Sequence, residues 1–427
     1  MIRKPLVAAC MAGLLALTTT AACSDGSGDG GEGGATALTY LVFETPSLDA
    51  TFWDTSIAAA SAEVPGVRID KIVAPSTDRD AYAKQLQQSG QFPDLLQSIT
   101  PSNFVGAGLL KPYDKTWIDA NFLLPSANTL KGEVYIPPTN SQIVPQVYYN
   151  KELFAQAGVT AAPQNWAEFL DACAKLKAKG INPIELGGAD PFAASMPLVG
   201  IVSADVLGKN KNWLQDRYAG RTAFADADMV TAVRKYRTLV DNGYFDKGAL
   251  GVKYADSITR FTGGKSAMYP MGSWFLGSVP KEKADAFGSF PWPTDDGSVV
   301  VPFVGGGSMA ISAKAEDTAL AEKFGRAWSL NPANLKALIE TDGAFPMIKN
   351  KTLADYGVTV TQVFEDSYAY VTQDNNKVSA IGWATNDDAL PPGLNDAFYA
   401  AAQALFTSDD VEGELKKLDD AWKTAAQ

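Results

Sequence analysis

The chain has 427 residues, no histidine, 36 Lys and Arg against 48 Asp and Glu, and a formal charge of −12 at pH 7. Without histidine there is no Ser-His-Asp or Cys-His catalysis, no imidazole general base and no His-containing zinc site. The acidic balance argues against nucleic-acid binding, which relies on Lys and Arg neutralising phosphates, and the missing GxxxxGK[ST] loop places any ATPase on a separate subunit.

At the amino end, Arg3 and Lys4 precede an apolar stretch from Leu6 to Leu17, followed by Thr20-Ala21-Ala22-Cys23. The pattern reads as a signal peptide over residues 1–22, and its apolar stretch is shorter than the roughly 20 residues a membrane-spanning helix needs. The last four residues resemble a lipobox, with Thr20 where Leu is usual; this implies cleavage before Cys23 and lipidation of its thiol and new amino group. Residues 23–37 offer almost no side chain able to join a core and read as a flexible tether. Loss of the signal removes Arg3 and Lys4 and shifts the formal charge from −12 to −14. Cys10 leaves with the signal and Cys23 carries lipid, so Cys173 has no disulfide partner and reads as a buried core thiol.

About 390 residues follow the tether, more than one hydrophobic core usually serves, so two lobes are expected. Leu38 to Glu44 reads as a strand, Val67 to Val73 as a second strand after an amphipathic helix, and Arg79 to Ser89 as a helix. Gln91-Phe92-Pro93-Asp94-Leu95-Leu96 opens a third strand, and the proline-rich passage from Ile136 to Pro145 reads as a first crossing between lobes. Val144 to Tyr149 is then a buried strand, Asn150 a helix N-cap with Glu152 in the first turn, and Gly158 a left-handed helix end. Asn165 and Glu168 form a capping-box pair for a helix whose Trp166, Phe169, Leu170, Cys173 and Leu176 share one face. Asp226 to Asn242 is an amphipathic helix with Val230, Val233, Leu239 and Val240 inward. Val299 to Val304 is a strand running into Gly305-Gly306-Gly307, a helix covers Lys323 to Ser329, and the last helices include Leu394 to Phe406 and Val411 to Ala425.

From Val147 to Gly188 the chain carries YYNK, LF-x-x-AG, a W-x-EF-L helix and Pro-Ile-x-Leu-Gly-Gly. With Phe92-Pro93-Asp94, the stretch Gly108 to Asp114, Phe261 to Met268, Gly272-Ser273-Trp274 and the glycine run at 305–307, this segment resembles the family 1 extracellular solute-binding proteins, which capture sugars for ABC importers. The resemblance covers nearly all of the mature body. It implies an α/β, two-lobe periplasmic-binding-protein-like fold of type II, each lobe a mostly parallel sheet flanked by helices with a ligand cleft between. A return crossing is implied after the glycine run and a third near Ala344-Phe345-Pro346. Lobe 1 is then expected over 38–140 plus 297–345 and lobe 2 over 146–296 plus 346–427.

A sugar site combines apolar C–H faces with many hydroxyls, so it needs flat aromatic rings, carboxylates, amides and Arg or Lys donors converging in a cleft. Trp274, at a strand end among glycines, suits a stacking ring, and the resemblance implies that role. Glu44, just past the first strand, can accept from hydroxyls, with Phe43 alongside. Asp94 suits either a ligand contact or a cap, while Gln97 and Ser98 end a strand where cleft residues are expected. The resemblance implies a carboxylate and a ring at Asp190 and Phe192. Gly305 and Gly306 suit a close backbone approach to ligand or a hinge-side turn. Trp383 and Asp387 lie in a polar loop, and relatives can place a stacking ring near Phe398.

The implied function is capture by lobe closure and delivery to two permease subunits served by a separate ATPase, by a monomer held to the membrane through Cys23. No cofactor, metal or catalytic residue is expected. A polyamine would require clustered cleft carboxylates, and a phosphorylated polyol would require Arg or Lys. Two other readings are a carbohydrate-active enzyme using Glu44, Asp94 and Asp190, and a non-transport lipoprotein or sensor.

Overall fold

The computed structural model describes residues 35–75, 78–306 and 309–426. The expected signal peptide at 1–22, the lipidation site Cys23 and all but the end of the tether lie outside the described residues. The first sheet has the strand order Val67–Val73, Thr36–Val42, Leu95–Gln97, Met309–Ser312, Leu110–Lys111. Its first strand starts at Thr36, before the expected Leu38, and ends at Val42 rather than Glu44. The pairing explains both limits: Thr36 is already in register with Val67, and Val42 with Val73, after which the partner strand ends. The small residues Thr36 and Ala37 look like tether by composition, but their backbone groups belong to the sheet.

Helices Ala50–Ala62 and Thr318–Leu330 cover one part of this sheet, and Pro332–Asp342 packs on both of them. Asp49 caps the first by accepting from Phe52 N at 2.9 Å, and Asp317 caps the second, which begins before the expected Lys323. A cap is worth about 1 kcal/mol. The aromatic cluster beneath counts for more. Tyr40 meets the Trp53, Phe324 and Trp328 rings, and Trp53 stacks on Trp328 at 6.1 Å and 11°. At about 25 cal/mol per Å², each buried ring contributes roughly 4–6 kcal/mol gross, so packing rather than capping holds these helices to the sheet.

The second sheet has the order Phe287–Phe290, Gln146–Asn150, Ser266–Met271, Asn182–Ile184. Helix Trp166–Ala178 packs beside it through Trp166, Phe169, Ala172, Cys173 and Leu176, all buried, while Leu170 is half-buried. Asn165 accepts from Glu168 N at 3.0 Å; the returning Glu168 carboxylate takes Gln164 N at 2.8 Å, one residue before the position a capping box uses. In both sheets every strand but one points the same way, as expected. Gln146–Asn150 runs antiparallel to both neighbours, and so does Met309–Ser312 in the first sheet. Both strands arrive straight from a third sheet rather than through a helix of their own layer, so the parallel crossover geometry does not apply to them.

That third sheet has the order Phe345–Pro346, Asn140–Ile143, Val300–Gly306, Asn376–Ser379. The chain leaves it at Ile143 for the second sheet, at Gly306 for the first, and enters it at Phe345 from helix Pro332–Asp342. Beside it two backbones touch. The turn Ser273–Ser278 lies against the end of Pro332–Asp342 so closely that a Cβ on Gly277 would fall 1.9 Å from the Thr341 carbonyl oxygen, and one on Gly343 would fall 2.4 Å from that of Ser273. Gly343 also ends its helix in the left-handed region, φ 54°. Ile143 N donates to Ser273 Oγ at 3.3 Å, tying the turn to the third sheet.

Because the atoms facing Gly277 are backbone, no side chain can move aside. Gly277→Ala is therefore expected to lower unfolding free energy by about 2–3 kcal/mol, read as a lower denaturation midpoint in urea. An unchanged midpoint would show that the two turns are not in contact.

Candidate ligand-binding site

Five half-buried aromatic side chains from separated segments converge beside this junction. Trp274 stands on the turn after strand Ser266–Met271, and Gly272 leaves the space its indole needs, since a Cβ there would come within 2.1 Å of that ring. Trp383 lies on the loop after Asn376–Ser379, its ring centre 5.2 Å from that of Trp274 at 34°. Phe192 meets Trp383 at 6.2 Å and Tyr254 at 5.1 Å, both edge-on. Tyr399 is 6.1 Å from Trp383 and donates its hydroxyl to Gly382 O at 2.6 Å. The Trp274 indole sits against the Tyr254 hydroxyl, whose pKa burial pushes above the usual tyrosine range. The Trp383 indole N–H is buried with no hydrogen-bond partner among the described residues.

The first sheet supplies the polar side. Phe43, directly after the first strand, is buried, and the Arg79 guanidinium lies over its ring at 4.0 Å. Arg79 Nε donates to Ser98 O at 3.0 Å; Ser98 adopts a left-handed backbone, φ 48°. Burial lowers the Arg79 pKa against the opposing charges of Asp80, Tyr399, Asp78 and Asp342. Tyr399 and Asp342 thus lie within electrostatic range of Arg79. Asp80 is engaged elsewhere, accepting from Thr100 N at 3.0 Å and Asn103 Nδ2 at 2.7 Å. Asp342 ends helix Pro332–Asp342 and accepts from Gln142 Nε2 at 3.0 Å. Burial pushes its carboxyl up to about 7, with the Gln142 bond and the Arg79 charge pulling the other way. At the edge of this cluster a groove of about 520 Å³ runs between Pro46, Ser47, Ala255, Thr259, Ser278 and Thr341, and the Ser47 and Ser278 hydroxyls meet at 3.1 Å.

The sequence-predicted residues divide accordingly. Trp274, Trp383 and Phe192 come together; Phe43 packs on the Trp53 ring and beneath Arg79, which Ser98 holds through its carbonyl. Glu44 is exposed beside Phe43 and has no hydrogen bond or ion pair among the described residues. Asp190 is next to Phe192, but its carboxylate accepts from Tyr254 N at 2.7 Å and so anchors the start of that helix.

The other candidates have partners of their own. Asp94 accepts from Thr39 N at 2.8 Å, Thr39 Oγ1 at 2.7 Å and Glu316 N at 3.3 Å, which makes it a brace between strands. Gln97 is buried, taking the Tyr40 hydroxyl and donating to Ser98 Oγ. Gly305 and Gly306 are strand residues whose Cβ space is filled by Asn128 and Asn140. Asp387 accepts from Lys131 N at 2.7 Å on the outer surface. Phe398 is 1% exposed in the core, and the next residue, Tyr399, turns to the cleft in its place. Arg79, Gln142, Tyr254 and Asp342 escaped the sequence reading; the one available sign was that Asp342 precedes a helix-ending glycine.

Residues 55–357 match the family described as bacterial extracellular solute-binding protein. This chain belongs to that family. Curated relatives in Brucella abortus and Brucella suis, whose names claim no more than binding, are 27% identical over 289 residues, 64% of this solute-binding protein. The match spans 65% of the length of those relatives. A chitin oligosaccharide binding protein superposes with a TM-score of 0.78 at 23% identity, over 92% of this chain and 99% of its own. The solute-binding protein RafE in complex with raffinose gives 0.72 at 20% identity, over 92% and 100%. The GacH receptor of Streptomyces glaucescens, solved unliganded and with acarbose, gives 0.71 at 20%, over 92% and 98%. These likenesses establish the two-lobe α/β fold for this solute-binding protein. Among its described residues no helix is long and apolar enough to cross a membrane, and no group of three His, Cys, Asp or Glu side chains is placed to hold a metal ion.

Asp342 gives the site a pH signature. Its carboxyl titrates near 7 in the folded protein against 3.8 for an ordinary Asp, so between those values the folded state keeps a proton that the unfolded chain has released. Stability therefore falls as pH rises through this window, with the full penalty present above pH 7. Asp342→Asn is expected to raise the melting temperature at pH 8 and to leave it nearly unchanged at pH 4; an equal effect at both would contradict a raised Asp342 pKa.

Proposed function

We propose that this protein captures a mono- or oligosaccharide between its lobes and delivers it to the membrane permease of an ABC importer. The observation that carries the reading is the convergence of Trp274, Trp383, Phe192, Tyr254 and Tyr399 from five separate segments upon Phe43, Arg79 and Asp342. Flat rings bind the C–H faces of pyranoses, and the charged and amide groups bind hydroxyls. Such a set contributes no nucleophile held by a base and no open metal position, so binding rather than bond-breaking is its chemistry. The cleft is assigned to the boundary between lobe 1, residues 38–140 plus 297–345, and lobe 2, residues 146–296 plus 346–427.

Ligand contacts that exist only when both lobes engage favour the closed form, and closure is what the permease reads. We assign the partners as two permease subunits with a separate ATPase, and the protein as a monomer on the outer face of the membrane, held there by lipid on Cys23.

Isothermal titration of residues 35–427 with raffinose, chitotriose, xylotriose, galactose, spermidine and sorbitol 6-phosphate tests the reading. A neutral sugar is expected to bind, and Trp274→Ala or Trp383→Ala to weaken it at least about tenfold, equivalent to 1.4 kcal/mol. Binding of spermidine or the phosphate with no response to any sugar would overturn the substrate class.

A further inference from the structure

The groove at the edge of the aromatic cluster continues the cleft outward, because each of its walls lies next in the chain to a cleft residue. Ala255 and Thr259 follow Tyr254 on helix Tyr254–Thr262, Ser278 ends the turn that carries Trp274, Thr341 precedes Asp342, and Ser47 closely follows Phe43. Its floor is the contact of Gly277 with the Thr341 carbonyl, where backbone meets backbone. A floor packed in this way does not give, so the cavity of about 520 Å³ has a fixed base. Small-molecule pockets span roughly 300–1,000 Å³, and this one lies within that range.

Its chemistry differs from that of the aromatic wall. No aromatic ring lines it among the described residues, so nothing in it stacks on a pyranose. It offers hydroxyls instead. Ser47 and Ser278 Oγ meet at 3.1 Å across it, a bond that uses one hydroxyl hydrogen and leaves the other, with further lone pairs, for a ligand. Thr259 Oγ1 reaches the Ala255 carbonyl at 3.4 Å, the long end of the hydrogen-bond range. Glu340, the charged member of the lining, is exposed and faces Lys336 at 3.8 Å. Hydroxyls without a stacking ring hold a free monosaccharide poorly. A sugar unit covalently joined to one already on the aromatic wall is a different case, since it reaches the groove at high effective concentration and its weak contacts still tighten the whole ligand.

We propose that this groove is an outer subsite that receives further units of an oligosaccharide whose first unit lies on the aromatic wall, so that the protein favours longer saccharides over the monosaccharides they contain. The inference rests on the sugar-capture reading above. Isothermal titration of residues 35–427 with galactose, melibiose and raffinose, with xylose, xylobiose and xylotriose, and with N-acetylglucosamine, chitobiose and chitotriose reads the effect of length within one chemistry.

In the series that binds, the trisaccharide is expected to bind at least about tenfold tighter than the monosaccharide. Ala255→Leu with Thr259→Leu places bulk in the groove from two exposed helix positions and is expected to weaken the trisaccharide at least about fivefold, with the melting temperature of the free protein unchanged. Ser47→Ala with Ser278→Ala removes hydroxyls without adding bulk and is expected to weaken it at least about threefold. A monosaccharide that binds as tightly as its trisaccharide would overturn the outer subsite while sugar capture stands. So would wild-type trisaccharide binding by both double variants, or a loss that falls equally on monosaccharide and trisaccharide. Silence from all three series would sink both this inference and the reading beneath it.

Discussion

The contact between the turn Ser273–Ser278 and the end of helix Pro332–Asp342 governs the geometry of the site. Gly277 meets the Thr341 carbonyl and Gly343 meets that of Ser273 with no side chain between them. Backbone against backbone leaves no room for a sliding interface, so Trp274 and Asp342, one on each partner, are held at a fixed offset. The third sheet runs beside them: Ile143 is bonded to Ser273, and Phe345 follows Gly343.

The rest of the cleft is energetically unfavourable in the absence of ligand. Asp342 is forced towards neutrality, Arg79 is partly desolvated, and the Trp383 indole N–H has no partner among the described residues. Each of these is a group that a hydroxyl-rich ligand could satisfy, and leaving a buried donor unpaired costs about 1–3 kcal/mol. The lobes absorb that cost through cores that are apolar and tightly interlocked, as in the Tyr40, Trp53, Trp328 cluster under the first sheet and the Phe261, Tyr269, Phe275 cluster in the second.

Local elements were well expressed in the sequence. Val67–Val73 and Val411–Ala425 have the expected limits, and Asn150, Gly158 and Asn165 mark helix ends as their chemistry indicates. These features depend on neighbours a few residues away, so the pattern of side chains records them. Strand direction depends on where the chain comes from, and nothing within Gln146–Asn150 reveals that it runs antiparallel to both neighbours. The cleft followed the same rule. Trp274 and Trp383 stood out because large rings beside glycines or in polar loops lack a local core to enter, and Phe192 through the family resemblance. Arg79 looked like an ordinary first-turn helix residue, and Tyr254 and Asp342 like ordinary helix termini; only tertiary contacts turn them into cleft residues. Phe398 and Tyr399 show the limit sharply: two adjacent rings on one helix, of which rotation about the helix axis buries the first and presents the second.

The aromatic wall and Arg79 are proposed to enclose the ligand. A crystal structure of residues 35–427 grown with the sugar that binds in titration tests it most directly. The expected density lies between the Trp274 and Trp383 rings and Arg79, with a sugar hydroxyl in contact with Asp342 and an acceptor at the Trp383 indole N–H. Sugar found only in the outer groove between Pro46 and Thr341, with the cleft rings still packed on one another, would contradict it.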